Sequence, residues 1–282
     1  MESHTRYGPN ARNKPGRLCY TARDMREGPR TEFVWVTETS DPFFHWQSVA
    51  EVAGSGQPVV VYSKNLVPVS FFQDNPRVAL GLTITGWGGT WLEPGVISPE
   101  TMVAHFNRVA ETVGCNRLRL RVDPGIPTAE GLHRARAVLG GIVVPVRTIT
   151  SLLQFYKGHD KIFERLGIDR SSYKIRSGRA VFPDPELAAW WLRELLLARP
   201  DFAGCVSFCG MPYQVAGAEH MGCVDEALLR AIGVTVFKRI APGRQRPGCR
   251  CVIAKRQALH GGCAHGCLYC YAHKENLRHL PP

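Results

Sequence analysis

Three cysteines on one short loop carry the clearest chemical signal in this sequence. They are spaced as Cys263-x-x-x-Cys267-x-x-Cys270. Three thiolates can bind three irons of a [4Fe–4S] cube and leave the fourth iron open, and thiolate ligation is usual for such clusters. The alternative is a zinc site that adds His265 or His273 to the cysteines. Zinc fingers usually combine a Cys-x-x-Cys pair with a second, distant pair, so this spacing favours the iron–sulfur cluster.

An open iron suits an enzyme that starts radical chemistry. The iron can chelate the amino and carboxylate groups of S-adenosylmethionine (SAM), so that a reducing electron cleaves the sulfonium bond and releases a 5′-deoxyadenosyl radical. The aromatic residue directly before the third cysteine, Tyr269, strengthens this interpretation. We therefore expect a radical SAM enzyme that takes electrons from a reductant such as flavodoxin or ferredoxin.

A second set of cysteines is spread over three other segments. The chain has ten cysteines, six of them within residues 223–270, and this crowding favours metal binding or redox chemistry over disulfides. Four of the thiolates could hold a second iron–sulfur cluster or a structural zinc ion: Cys209, Cys223, Cys249 and Cys251. Alternatively, Cys209 could donate a hydrogen atom during catalysis, because it follows a predicted strand.

Strand-like and helix-like segments alternate between residues 33 and 208. The predicted strands cover residues 33–37, 59–62, 78–85, 118–122, 142–147 and 202–208. The predicted helices cover residues 44–52, 99–113, 128–139 and 184–197. Almost continuously apolar strands that alternate with helices are typical of a parallel sheet. We therefore predict an α/β fold, a full or partial (β/α) barrel, with an open doubly wound sheet as the alternative.

Composition divides the chain into three parts. Residues 1–30 are predicted to be a flexible basic arm, residues 31–240 a barrel-like catalytic domain, and residues 241–282 a cysteine-rich, cluster-binding segment packed on the barrel mouth. The net charge of +11 comes from the ends, since seven Lys and Arg oppose three acids in residues 1–30 and nine oppose one in residues 238–282. Basic ends on a neutral body predict a polyanionic partner, nucleic acid first of all.

Several common classes of protein do not match the sequence. It contains no Walker A loop, no dinucleotide-binding glycine fingerprint and no Gly-x-Ser-x-Gly elbow, which disfavours the usual ATPases, dehydrogenases and serine hydrolases. The longest apolar runs are strand-sized, and no signal-peptide pattern opens the chain. We therefore expect a cytoplasmic protein without a membrane partner. The sequence leaves the oligomeric state open.

The cysteine motifs also carry a family resemblance. Cys249-Arg-Cys251 followed by Cys263-x-His-Gly-Cys267-x-Tyr-Cys270-Tyr-Ala resembles the C-terminal signature of the domain-of-unknown-function family eighteen-forty-eight, noted for a cysteine cluster similar to that of radical SAM proteins. The resemblance extends over residues 33–273 and implies a β/α-barrel-like body that binds an iron–sulfur cluster. Unlike familiar radical SAM enzymes, this chain has its cysteine loop after the last predicted strand and has no Gly-Gly-Glu-like run after the second. Spore photoproduct lyases, radical SAM enzymes that repair DNA, are a distant analogy.

The resemblance includes polar residues that follow predicted strands. They are Asp41, Lys64, Asn65, Thr85, Arg121 and Asp123. The C-terminal ends of the strands form the active site of a β/α barrel, so we predict catalytic roles for Asp41, Lys64, Asp123 and Cys209, and cofactor binding by Asn65, Thr85 and Arg121. Lys64 and Arg121 could bind a substrate phosphate or the SAM carboxylate. Asp123 could hold ribose hydroxyls or orient Arg121. The alternative for each residue is a loop ion pair or a turn.

The leading hypothesis is thus an atypical radical SAM enzyme, with nucleic-acid modification or repair as the first substrate class to test and a small metabolite or a peptide as the other candidate substrates. One alternative is a non-enzymatic nucleic-acid-binding protein held together by zinc or by a cluster. Another is an iron–sulfur protein that transfers electrons or senses redox state. Metal content separates the first alternative from the enzyme, and cleavage of SAM separates the second.

Overall fold

The computed structural model describes residues 33–36, 40–219, 221–235, 249–252, 255–257, 263–270 and 272. The predicted N-terminal arm and much of the C-terminal segment lie outside the described residues, as does His273, the alternative zinc ligand. No helix within the described ranges is long and apolar enough to cross a membrane.

The described strands form one large parallel sheet and one antiparallel hairpin. Their bounds are β1 Val34–Val36, β2 Val59–Ser63, β3 Val78–Thr83, β4 Leu118–Gly125, β5 Thr148–Leu152, β6 Tyr173–Ser177, β7 Ala180–Pro183, β8 Val206–Phe208 and β9 Lys255–Gln257. The large sheet has the order β8-β5-β4-β3-β2-β1-β9, and every pairing in it is parallel. The hairpin is formed by β6 and β7.

The strand order rises without reversal from β1 through β5 to β8. Such an order is that of a barrel wall, whereas a doubly wound sheet reverses its order at a switch point. The edges of the sheet are β8 and β9, and no pairing joins these edges among the described residues. The prediction of a mixed α/β fold with a parallel sheet is confirmed, and a closed barrel is absent from the described part of the chain.

Helices connect most of the strands. Their bounds are α1 Trp46–Gly54, α2 Val69–Asp74, α3 Pro99–Val113, α4 Ala129–Gly141, α5 Asp160–Leu166, α6 Pro185–Ala198 and α7 Glu226–Ala231. The helix predicted at 99–113 is confirmed, and its N-cap Ser98 accepts a hydrogen bond from the Thr101 amide. The other three predicted helices are confirmed to within two residues at each end. No pattern in the sequence predicts α2, α5 and α7, which have only six or seven residues each.

The strand predicted at 142–147 is wrong by several residues. Ile142 is the C-cap of α4, and the apolar Val143 and Val144 are exposed. The strand begins instead at Thr148, a residue whose hydroxyl donates to the Val146 carbonyl at 3.0 Å. Thr150 is also buried and donates to the Val122 carbonyl at 2.7 Å, so both threonines are satisfied inside the sheet. Hydropathy alone misplaces a strand in which internal bonds allow polar residues to be buried.

The two faces of the sheet have different neighbours. Successive side chains of a strand point to opposite faces, so Val59 and Val61 pack with the helices α1, α3, α4 and α6. Val60 and Tyr62 point the other way, into a core completed by α7 and by buried cysteines. We call this second side the inner face. It also carries a buried charge, Arg119 of β4.

Arg119 ties α7 to the inner face. Its guanidinium lies 3.0 Å from one carboxylate oxygen of Asp225 and 3.2 Å from the other. Asp225 also caps α7, because it accepts a hydrogen bond of 2.7 Å from the Leu228 amide. A buried pair that also caps a helix fixes the position of α7 against the sheet.

We expect Arg119→Met to destabilise the fold by about 3 kcal/mol, because it leaves the Asp225 carboxylate without its buried partner. Chemical denaturation measures this change. The matched control is Lys174→Met, which removes an exposed cation 3.4 Å from Asp184 and should cost no more than about 0.5 kcal/mol. Equal effects of the two substitutions would contradict the assigned role of Arg119.

Candidate metal centres

The loop that carries Cys263, Cys267 and Cys270 is docked on the connection that follows β3. The Gly95 amide donates to the His265 carbonyl at 2.9 Å, and the Leu268 amide donates to the Leu92 carbonyl at 3.0 Å. Leu268 is buried in an apolar cluster with Leu92 and Trp87. Because this connection leaves the carboxyl end of β3, the three cysteines lie on the side of the sheet where α/β proteins place their sites.

Two glycines make this docking possible. Gly266 has φ +63°, in the left-handed region, so it turns the chain between His265 and Cys267. Gly95 permits close approach, since a Cβ atom there would lie 2.5 Å from the Ala264 carbonyl oxygen and 2.9 Å from that of His265. No larger residue fits at Gly95 unless the cysteine loop moves away.

A buried carboxylate, Asp41, holds the loop from the other side. Its Oδ1 accepts hydrogen bonds from the Phe43 amide and the Ser63 hydroxyl, at 2.9 and 2.7 Å. Its Oδ2 accepts from the Lys64 amide and from His265 Nε2, both at 2.7 Å. Burial by itself raises the pKa of Asp41, but the hydrogen bonds from His265 and the Lys64 amide outweigh it, and the net pKa is lowered. Asp41 is thus an ionised anchor for the loop.

Lys64 lies beneath the cysteines in a group of buried polar side chains. Its Nζ is 2.5 Å from Glu93 Oε1, hydrogen-bonds the Tyr269 hydroxyl, and lies 3.8 Å from Cys267 Sγ. Thr85 donates to the other oxygen of Glu93 at 2.5 Å. Burial lowers the pKa of Lys64, but the electrostatic influence of Cys267 and Glu93 and the hydrogen bond to Glu93 exceed that effect and raise the pKa overall. The ammonium therefore remains charged beside a thiol of the loop.

The remaining predicted rim residues divide into two kinds. Arg121 and Asp123 form an ion pair, Ser151 donates to Asp123, and the guanidinium of Arg121 lies 5.7 Å from the centre of the Tyr62 ring. The charge of Asp123 also raises the pKa of Lys64. Asn65, in contrast, accepts a hydrogen bond from the amide of the next residue at 2.9 Å, as a turn residue does. The structure brings the predicted rim residues together but gives Asn65 a local role.

Glu93 is a site residue that the sequence analysis missed. It is fully buried and bonds Lys64, Thr85 and Tyr269. It lies in a loop, within Trp-Leu-Glu-Pro-Gly, where no spacing or periodicity marks it. The available signal was chemical, because a lysine predicted to lie on a buried rim requires a nearby anion.

The three loop thiols are not arranged around a single point. Burial raises the pKa of Cys263, and it raises that of Cys267 to about 12. Among the residues that the structure describes, the one group of three or more potential metal ligands with all ligand atoms within 4.8 Å lies elsewhere, so the three loop sulfurs are spread more widely than that. Thiolates on different irons of a cube are farther apart than thiolates that share one ion, so this spread is compatible with a cluster.

That compact group belongs to the second cysteine set. Cys209, Cys223 and Cys251 are buried and lie within 4.8 Å of one another, with 2.9 Å between the sulfurs of Cys209 and Cys223. The Cys223 amide donates to Cys251 Sγ at 3.2 Å. Cys249 is half-buried and hydrogen-bonds the thiol of Cys251. The structure therefore brings together all four residues of the predicted set, and three of them could hold a metal ion.

We expect Gly95→Ala to weaken the docking of the cysteine loop by about 1–3 kcal/mol, since the added methyl group overlaps backbone atoms of the loop. Hydrogen exchange should show this as a rise of about fivefold or more in the exchange rates of amides within residues 263–270. The control is Gly140→Ala in α4, where a Cβ atom meets nothing within 4 Å. Unchanged exchange in the Gly95 variant would contradict the tight docking.

Comparison with known proteins identifies a family and no individual relative. Residues 57–272 match the family described as Domain of unknown function (DUF1848). No curated protein and no solved structure matches the chain significantly. The match covers most of the chain, including β2 to β9, the connection after β3 and both cysteine sets, whereas β1 and Asp41 precede the matched residues. It confirms the resemblance carried by the cysteine motifs, and the chain belongs to the DUF1848 family.

Proposed function

We propose that this chain is a radical SAM enzyme whose cluster is held by Cys263, Cys267 and Cys270. The observation that carries the proposal is the position of the cysteine loop, which is fastened beside the carboxyl ends of β2 and β3 by Asp41 and by the connection after β3. Sites of parallel α/β proteins form at these ends. A loop from the far end of the chain thus reaches the place that a loop after the first strand would reach.

The chemistry of the loop fits an iron–sulfur cluster. Three cysteine sulfurs are spread more widely than the ligands of one ion, and Cys267 lies beside the ammonium of Lys64. When bound, a [4Fe–4S] cluster with SAM at its open iron supplies reductive cleavage of the sulfonium bond and a 5′-deoxyadenosyl radical. Lys64 stabilises the thiolate of Cys267 by its positive charge, and Glu93 and Tyr269 hold Lys64 in place.

The two basic residues predicted to lie at the site, Lys64 and Arg121, take different roles in this proposal. The Lys64 side chain is 17% exposed and points at Cys267 and Glu93. The Arg121 side chain is 29% exposed and is oriented by Asp123. We therefore assign Arg121 to the anionic group of SAM or substrate, since a more accessible guanidinium can bind a carboxylate or phosphate in a bidentate fashion. Asp41 takes a positioning role through His265 and does not touch the substrate.

Reconstitution and turnover test the proposal directly. After anaerobic reconstitution with iron and sulfide, the loop should hold about four irons per chain. With dithionite and SAM, and in the presence and absence of nucleic acid, the reconstituted protein should release 5′-deoxyadenosine. Cys267→Ser should abolish both, whereas Cys205→Ser, which changes a half-buried thiol outside both cysteine sets, should change neither.

Each contrary outcome favours a different function. If the loop binds no iron, the result favours the alternative of a non-enzymatic nucleic-acid-binding protein whose fold is stabilised by a metal. A protein that binds the cluster but leaves SAM intact with every substrate offered would be an electron-transfer protein or a sensor. If the Cys267→Ser variant still bound the same amount of iron, the assignment of Cys263, Cys267 and Cys270 as the cluster ligands would be wrong.

We further propose nucleic acid as the substrate class, on the basis of the basic residues in 1–30 and 238–282, most of which lie outside the described residues. The affinity for duplex DNA should fall at least about tenfold between roughly 50 and 200 mM salt, because bound phosphates release counterions. Replacing Arg244 and Arg246 by Gln should reduce this salt dependence, whereas Arg193→Gln in α6 should not. Affinity that is independent of salt would contradict an electrostatic partner.

A further inference from the structure

We propose that Cys209, Cys223, Cys251 and Cys249 bind a single zinc ion in a tetrahedral thiolate site, and that this ion joins the segment after β8 to the segment that leads into β9. This assignment replaces the choice between a second cluster and zinc that the sequence leaves open. It does not depend on the proposed radical chemistry, because the loop of Cys263, Cys267 and Cys270 is a separate ligand set.

The spacing of the sulfurs is the first argument. A zinc–sulfur bond of about 2.3 Å in tetrahedral geometry places two ligand sulfurs about 3.8 Å apart. The sulfurs of Cys209, Cys223 and Cys251 all lie within 4.8 Å of one another, so one ion can contact all three. The thiolates of a cube bind different irons and lie farther apart. Cys209, Cys223 and Cys251 are close enough for one ion, whereas the three loop sulfurs are spread more widely, so the two groups suit different kinds of thiolate site.

The fourth ligand comes from the residue two positions before Cys251. Cys249 is half-buried and packs against the same inner core, while its sulfur lies outside the group of three within 4.8 Å, so we assign it as the fourth ligand through a rotation of its side chain on metal binding. Four thiolates complete the coordination of a structural zinc and leave no open position. The Cys-x-Cys pair therefore supplies two ligands from one segment, and Cys209 and Cys223 supply one ligand each from the two others.

The backbone around the sulfurs holds the cysteine segments close together. The Cys223 amide donates to Cys251 Sγ at 3.2 Å, an N–H bond of the type that stabilises a metal-bound thiolate. The Val252 amide donates to the Val224 carbonyl at 3.0 Å, which binds the two segments side by side. Gly222 lets them approach closely, since a Cβ atom there would lie 2.5 Å from the backbone of Arg250 and Cys251.

The position of the group in the fold indicates what the ion does. Cys209 directly follows β8, the strand at one edge of the sheet. Cys251 lies four residues before β9, the strand at the other edge. Pairing between such edge strands would close a barrel, and no such pairing occurs among the described strands. The zinc ion therefore fixes the C-terminal segment over the inner face, where the cysteines pack with residues of β2, β3 and β5.

Metal analysis of the full chain tests the assignment. The protein is produced in medium that contains both zinc and iron and is purified anaerobically, and zinc and iron per chain are measured by mass spectrometry. The wild-type chain should hold one zinc ion. Cys251→Ser should lower the zinc content by about fivefold or more, because a structural site needs its full ligand set. Cys205→Ser should leave the zinc content unchanged, and Cys267→Ser should remove iron from the loop while the zinc stays.

If the Cys251→Ser variant does not fold, a second measurement on the wild-type chain tests the zinc site. Cobalt(II) exchanged into the wild-type chain should give the intense absorption of a tetrahedral thiolate site, at one equivalent and with displacement by zinc. Iron and sulfide that persist in Cys267→Ser without zinc would overturn the assignment in favour of a second cluster. A chain without zinc whose mass lacks two hydrogens would overturn it in favour of a disulfide between Cys209 and Cys223. If the wild-type chain held one zinc ion but no iron at Cys263, Cys267 and Cys270, that result would contradict the radical SAM proposal and support the zinc site.

Discussion

The buried carboxylate of Asp41 is the interaction on which the site depends. It accepts hydrogen bonds from the first turn, from the end of β2 and from a histidine 224 residues farther along the chain. An ionised group can be buried only when its oxygens are satisfied, and here both oxygens accept two bonds each. The cysteine loop is one of the partners that satisfy it. The same bonds therefore stabilise the charge and position the cysteines of the loop.

The charged groups behind the loop form a continuous series across the strand ends. Lys64 binds Glu93 and Tyr269. The charge of Asp123 raises the pKa of Lys64, and Asp123 forms an ion pair with Arg121. The guanidinium of Arg121 lies over the ring of Tyr62. The Tyr62 hydroxyl donates in turn to the carbonyl of Cys223. The two cysteine sets thus lie at opposite ends of one buried polar series, in which each charge has a partner of opposite sign. Low polarity around such pairs makes them strong and makes the loss of a single member costly.

The two cysteine sets have different relations to the sheet. The loop of Cys263, Cys267 and Cys270 is held from outside by backbone hydrogen bonds and by Asp41, so its position does not need a metal. The second set lies inside the core of the inner face, where buried thiols contact one another directly. Thiols offer little attraction to one another, whereas thiolates around a cation are strongly attracted to it. A wide, externally positioned set suits a reactive cluster, and a compact, buried set suits a structural ion.

The sequence by itself determined the parallel α/β character, the longer helices, the family and the identity of both cysteine sets, because periodicity, capping residues and ligand spacing are local properties. It also indicated that Asp41, Lys64, Thr85, Arg121 and Asp123 share one rim, since the carboxyl ends of parallel strands meet there. Only the tertiary structure decided that the barrel stays open among the described strands, that Glu93 is the anion beside Lys64, and that Asp41 anchors the loop. The spacing within each cysteine set was likewise decided in three dimensions. These features depend on contacts between residues far apart in the chain, and no local pattern encodes the distance between two such side chains.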